Sequence, residues 1–216
     1  MNKYKPHIHH RRSIRLKGYD YSHAGLFFIT ICCQDRADLF GEIVVEIVGE
    51  IVGADLRVCP NTNAEMKLND AGKMITKWYN ALETKFPDIK CHEMIVMPNH
   101  FHFIIEIVGA DPRVCPCVYP RVCPDNDANN GNINGEHVGS PLPRVIQWFK
   151  TMTTNEYIRG VKTFGWTPFN GKLWQRNYYE RIIRNEQSYQ TISKYIINNP
   201  AKWADDKFYK NKIHRR

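Results

Sequence analysis

Two rhythms of apolar residues run along the chain. Leu26 to Cys33 (LFFITICC) is a continuous aromatic and β-branched run, opened by Gly25 and closed by Gln34-Asp35-Arg36, and it predicts a buried strand. Leu39 to Val48 predicts a second strand, whose stutter (EIV, EIVG, EIVG) leaves register and end undefined. The period then changes. After the N-cap pair Asn69-Asp70, residues Ala71, Met74, Ile75, Trp78, Leu82 and Phe86 recur at steps of three and four until Pro87, which predicts an amphipathic helix. His92 to Met97 and His100 to Val108 read as strands of a tight antiparallel hairpin around Pro98-Asn99. Gly109 to Pro143, rich in Pro, Asn, Gly and Asp, reads as a long loop. Helices are expected over Val145 to Lys162, around Tyr178 to Arg184, and over Ser188 to Asn198 before Pro200.

One repeat interrupts this plan. EIVGADLRVCP at Glu50 to Pro60 returns as EIVGADPRVCP at Glu106 to Pro116, with a truncated PRVCP at Pro120 to Pro124. The irregular spacing excludes a solenoid, and the copies read as inserted peptides. The expected organisation is a basic N-terminal segment (1–20), one domain (21–203) with insertions at about 44–64 and 108–142, and a basic C-terminal tail (204–216). The copies carry three of the seven cysteines and Cys117 lies between two of them, so a zinc ribbon from Cys59, Cys115, Cys117 and Cys123 is an alternative that duplication makes unnecessary. An odd cysteine count and a start without an apolar signal region point to the reducing cytoplasm. No apolar run is long enough for a membrane span.

Charge narrows the partner. Thirty Lys and Arg against 22 Asp and Glu give a net +8 over 216 residues, which suits a polyanion. The excess sits at the ends: between Arg144 and Tyr195 there are nine basic residues and three acidic ones. Lys150, Arg159, Lys162, Arg176, Arg181 and Arg184 lie among Trp148, Trp166, Trp174, Tyr178 and Tyr179, the mixture of cations and stacking rings that a single-stranded nucleic acid uses.

The sharpest chemical feature is His100-Phe101-His102. On a strand, residues i and i+2 share a face, so both imidazoles project together as a two-point metal chelate. Apolar flanks (Val96-Met97, Phe103-Ile104-Ile105) make the strand central, where an unpaired imidazole pair is costly, and this favours a ligand role. His7, His9 and His10 share the spacing but lie in a polar terminal segment and read as part of the positive field. Tyr195 falls at the border of the Tyr189, Ile192, Ile196 stripe, with Asn199 four residues on. Spacing by itself reads Tyr195 as an ordinary amphipathic tyrosine.

The segments GYDYS (18–22), FFITIC (27–32), LFGEI (39–43), VMPNHFH (96–102), WQRNYYE (174–180) with IRNE (183–186), and YIINNP (195–200) stand in the order seen in REP-associated tyrosine transposases. Over most of Arg11 to Trp203, apart from the repeat-bearing insertions, the chain resembles these single-tyrosine members of the His-hydrophobic-His (HUH) nucleases. The resemblance implies an α+β domain, a mainly antiparallel central sheet flanked by helices in a ferredoxin-like HUH nuclease core. It further implies cutting of single-stranded DNA near hairpin-forming repeats, with Tyr195 as nucleophile and His100, His102 and Asn199 as ligands of Mg2+ or Mn2+. A homodimer is among the states such relatives adopt, and the resemblance implies a bacterial, nucleoid-associated protein. Two alternatives stay open: a non-catalytic DNA- or RNA-binding descendant, and a phosphodiesterase that uses the His pair with a water nucleophile.

Overall fold

The computed structural model describes residues 24–48, 61–108 and 141–209. The His7 cluster, the four cysteines of the zinc alternative and all of the repeat except Glu106-Ile107-Val108 lie outside these residues. Strand β1 is Gly25–Cys32, followed by a hairpin of β2 (Gly41–Val48) and β3 (Asn61–Leu68), helix α1 (Asp70–Lys85), strands β4 (Ile89–Met97) and β5 (His100–Ile107), helix α2 (Pro141–Phe164), strand β6 (Tyr179–Ile183) and helix α3 (Glu186–Ile197). A 3-10 turn, Pro200–Asp205, closes the described chain. The central sheet has the order β4-β5-β1-β6 with every neighbour antiparallel, and β2-β3 form a separate two-stranded sheet. Leaving out that hairpin, the sequence βαββαβ in this spatial order is the ferredoxin-like arrangement. The fold is therefore the expected α+β class: a four-stranded antiparallel sheet flanked by helices.

Alternation along the two central strands sorts the side chains into two layers. Phe27, Ile29 and Ile31 of β1 and Phe101, Phe103 and Ile105 of β5 are buried against Met74, Ile75, Tyr79 and Leu82 of α1 and Val145, Ile146 and Phe149 of α2. The opposite face carries a smaller cluster, Ile104 and Ile183 under Ile192 and Ile196 of α3. The hydroxyl of the buried Tyr79 donates to the Ile104 carbonyl at 2.7 Å and accepts from the His92 amide at 3.1 Å, where the β4-β5 register shifts between Cys91 and Met94. Asn69 caps α1 as expected: its carbonyl oxygen accepts from the Gly72 amide, and its amide donates to the Leu39 carbonyl. No helix among the described residues is long and apolar enough to cross a membrane.

The structure corrects one element and adds another. Tyr178 to Arg184 is not a helix but holds β6, paired with β1 from Leu26↔Ile183 to Thr30↔Tyr179. Five residues fit either period, and pairing with the otherwise open edge of β1 decides for strand. Strand β3, which no expectation covered, enters the segment assigned to the first insertion from one side as β2 does from the other.

Candidate functional site

The β1-β5 register sets Thr30 opposite His102 and Cys32 opposite His100, all four pointing away from the large core. Both histidines are buried, at 0% and 1% exposure. The Nδ1 of His100 faces Asn99 Oδ1 at 3.0 Å. The Asn99 amide nitrogen donates to Asp38 Oδ1 (3.1 Å) and to the Phe208 carbonyl (3.0 Å), both acceptors, so its oxygen must be the atom turned to His100. His100 therefore keeps its proton on Nδ1 and presents a bare Nε2. That atom lies 2.9 Å from Nε2 of His102, whose Nδ1 lies 2.7 Å from the Thr30 hydroxyl. With no cation present, His102 must carry its proton on Nε2 to bridge the pair, accepting at Nδ1 from Thr30.

Helix α3 brings Tyr195 over this pair from 93 residues away, its hydroxyl 3.3 Å from His102 Nε2 and 3.4 Å from Asp206 Oδ2. The connection between β6 and α3 is only Arg184-Asn185, and Asn185 caps the helix by accepting from the Ser188 amide at 2.8 Å. Phe28 stacks on His102 with ring centres 5.4 Å apart and meets Tyr195 edge-on at 6.1 Å. Tyr195 itself is 39% exposed, the outward-facing member of the group. Asn199 is buried just past the helix, and its side-chain oxygen finds no hydrogen-bond partner among the described residues.

The chain then returns as a strap. Phe208, 2% exposed, lies against His100 with ring centres 4.7 Å apart, and Trp203 lies at 5.8 Å. Asp206 Oδ1 accepts from the Phe208 amide at 2.7 Å. Arg36 donates to the Lys207 carbonyl at 2.9 Å, with its guanidinium 5.5 Å from the centre of the Phe208 ring. It is held there by consecutive positive φ angles at Asp35 (56°) and Arg36 (51°), uncommon for residues with a Cβ and a sign that the position is over-determined by its contacts.

These surroundings keep the imidazoles neutral. Burial is the main cause, pulling His102 down to about 3 and His100 well below the usual 6.5; Lys207 adds to both, and His102 and Arg36 add to the effect on His100. The Tyr195 phenol is pushed up, first by burial and then by the Asp206 charge, with the Asn199 side chain opposing. An upward shift is the wrong direction for a nucleophile, so the protein atoms alone do not activate this phenol.

The donor set does fit a divalent cation. His100, His102 and Asp206 each bring a ligand atom to within 4.8 Å of the others. Two donors about 2.0–2.1 Å from one ion at a right angle are about 2.9 Å apart, the separation found between the two Nε2 atoms. Neutral imidazoles offer lone pairs without first losing a charge-bearing proton.

Of the basic residues singled out in the sequence, only part gathers near this site. Arg181 lies on β6 opposite Phe28, on the histidine face, with Arg184 just after the strand, and both are exposed. Arg159 and Lys162 are exposed on α2, in the opposite layer. Arg176 is exposed in the segment between α2 and β6. Lys150 points inward, its ammonium donating to the carbonyls of Gln175 (3.0 Å), Asn177 (3.2 Å) and Arg176 (3.4 Å). Thr30, Arg36, Asn99, Asp206 and Lys207 were not singled out. Asn99 stood in the quoted motif and Lys207 in a tail read only as basic, so neither carried a separate signal.

A protein of Haemophilus influenzae (strain Rd), described only as uncharacterized, is 35% identical over 212 residues, 96% of this chain and 97% of its own length. The chain belongs to that protein's family. No family model matches. Among solved structures, a REP-associated tyrosine transposase bound to a REP hairpin aligns over 96% of this chain and 77% of its own, at 16% identity and a TM-score of 0.41. A candidate transposase of Deinococcus radiodurans R1 aligns over 85% and 95%, at 13% identity and a TM-score of 0.39.

Proposed function

We propose that the protein is a metal-dependent single-stranded DNA endonuclease and strand transferase, a transposase that cuts near hairpins through a 5′-phosphotyrosine link formed by Tyr195. The observation that carries this reading is the approach of the Tyr195 hydroxyl to within 3.3 Å of His102 Nε2, across 93 positions of sequence. The ordered motif set supports the same reading. The working unit is one domain over 21–203 with the repeat-bearing segments as insertions, acting on DNA in the cytoplasm.

His100 and His102 would anchor Mg2+ or Mn2+, with the unpartnered Asn199 oxygen as the expected further donor. When bound, the cation polarises a non-bridging phosphate oxygen and offsets the charge that builds at phosphorus. Thr30 and Asn99 fix the two rings so that both Nε2 atoms would face the cation. Phe28 and the α3 backbone hold the phenol over them. In the reaction Tyr195 Oη bonds to phosphorus and gives up its proton, the bond to the 3′ oxygen breaks, and that oxygen is protonated to a free 3′-hydroxyl. Reversal with another 3′-hydroxyl rejoins strands without a nucleotide cofactor. Arg181 and Arg184, on the histidine face or beside it, are placed for neighbouring phosphates.

The test is covalent capture. Single-stranded DNA carrying a hairpin, incubated with the protein and Mn2+, yields a denaturation-resistant adduct that Tyr195→Phe abolishes and that does not form in EDTA. His100→Ala loses cleavage and keeps DNA binding. Full adduct formation by Tyr195→Phe would put the covalent link on another side chain, and undiminished cleavage by Tyr195→Phe without an adduct would favour a water nucleophile.

A further inference from the structure

We propose that Asp206 is a direct ligand of the cation held by His100 and His102, so that the cation fastens the strap Asp206–Tyr209 to the sheet. The proposal rests on the cation reading above and adds a carboxylate from beyond Trp203, where the motif resemblance ends.

Three observations converge on it. First, the Asp206 carboxylate and the two imidazoles, among the described residues, form a group of metal-ligating atoms within 4.8 Å of one another. Second, the carboxylate is already oriented: Oδ1 is pinned by the Phe208 amide at 2.7 Å, while the Tyr195 hydroxyl at 3.4 Å is a weak use of Oδ2. An ionised carboxylate has about four lone-pair positions, so one strong bond and one long one leave capacity for an ion. Third, the charge balance requires it. Two imidazoles compensate none of a divalent charge, and the cationic groups of Arg36 and Lys207 lie 5.5 and 4.7 Å from the centre of the Phe208 ring that packs on His100. Hard cations such as Mg2+ and Mn2+ take carboxylate oxygen in preference to an all-nitrogen set.

If Asp206 served only to cap the Phe208 amide and receive the Tyr195 hydroxyl, the strap would be indifferent to metal. As a ligand, it couples the two: cation binding draws Asp206 toward His100 and His102 and holds Phe208 and Tyr209 with it, because the Tyr209 amide also bonds to the Asp206 carbonyl at 2.8 Å.

The full-length chain is titrated with Mn2+ alone, free ion being read from its paramagnetic resonance signal, and amide hydrogen exchange is followed across Lys207–Tyr209. We expect Asp206→Ala to weaken Mn2+ binding at least tenfold. Asp206→Asn keeps an oxygen for the Phe208 amide but loses the charge, and weakens binding at least fivefold. Exchange in the strap slows on adding Mn2+ to the parent and is unmoved in Asp206→Ala. A smaller loss of affinity in either variant, or strap exchange indifferent to Mn2+ in the parent, overturns the assignment. Parent-like Mn2+ affinity in Asp206→Ala, with the Tyr195 adduct intact, would sink this proposal and leave the function standing; no saturable Mn2+ binding by the parent would sink the cation reading itself.

Discussion

Replacing Thr30 by Val isolates the hydrogen bond that turns a histidine pair into a cation site. Valine has nearly the shape of threonine, and Thr30 is 3% exposed, so the change removes a hydroxyl from a packed position without opening a cavity. In the metal-free protein that hydroxyl donates to Nδ1 of His102 over 2.7 Å, a neutral contact worth about 1 kcal/mol. Cation binding takes the Nε2 lone pair, moves the ring proton to Nδ1 and turns the hydroxyl into an acceptor. The N–H is then polarised by the ion, and such a bond is worth about 1.5–3 kcal/mol. The difference, about 0.5–2 kcal/mol, is the part of cation affinity that Thr30 supplies, equivalent to a factor of about 2–30. Thr30→Val should therefore lower the Tm of the metal-free protein by about 2–4 °C and weaken Mn2+ binding about 2- to 30-fold, as calorimetric titration would read it. Thr30→Ser, which keeps the hydroxyl, retains parental affinity to within about twofold. Unchanged Mn2+ affinity in Thr30→Val alongside the expected fall in Tm would show that the hydroxyl only packs the core, and the tautomer argument would fail.

Lys150→Met keeps the aliphatic stem but leaves the carbonyls of Gln175, Arg176 and Asn177 without their donor, and should cost about 1–3 kcal/mol in urea unfolding; the salt dependence of DNA binding should stay parental, whereas Arg181→Ala and Arg184→Ala each lower its slope by about one. For acid stability the sign follows from burial: His102 titrates near 3 in the folded chain and near 6.5 unfolded, so the unfolded state binds more protons in that window and stability is lost as pH falls below 6.5. Between pH 6.5 and 5 His102 alone accounts for about 2 kcal/mol in metal-free protein, and His102→Asn should flatten the profile; a parent whose urea midpoint is the same at pH 7 and pH 5 would contradict it. Finally, mixing Tyr195→Phe with His100→Ala chains should give no DNA adduct, because phenol and imidazole meet within one chain; recovered adduct would mean that helices exchange between subunits.

Periodicity carried most of the fold. Helices α1, α2 and α3 repeat their apolar positions over enough residues to mark a period of 3.6, while β1 and the β4-β5 hairpin were marked by short β-branched and aromatic runs bounded by polar or turn residues. The failures share a cause. Tyr179 to Ile183 is five residues long, and its conformation is set by β1 rather than by its own pattern. Asn61 to Leu68 alternates, but Met66 and Leu68 are the only large apolar residues on its inner side, too few to mark a half-buried strand. At the candidate site, His100 and His102 were legible because their relation is local, two residues along one strand. Asp206 was not: one of two adjacent acids in a tail read as basic becomes informative only once the chain folds back beneath Arg36 and over His100. Lys150 is the complementary case, since sequence shows a charge and not the carbonyls that the charge already holds.

The arrangement depends on two short constraints more than on the large core. A one-residue slip of β1 against β5 would send Thr30 to the other face, set an apolar side chain beside His102 and leave a buried ring nitrogen without its partner. That slip would also drive Phe27, Ile29 and Ile31 out of the main core, so the burial that stabilises the domain and the bond that orients the ligand enforce the same register. The second constraint is the pair Arg184-Asn185. With two residues between the end of β6 and the start of α3, the helix has no reach beyond its own sheet, and Ile192 and Ile196 lock it onto Ile104 and Ile183. Tyr195 lies one position before Ile196, so the contact that seats the helix also sets the phenol at the edge of that seat, over His102. Lengthening the connector should thus disturb the reactive geometry before it disturbs the fold, because the main core lies on the far side of the sheet and shares no residue with the α3 cluster.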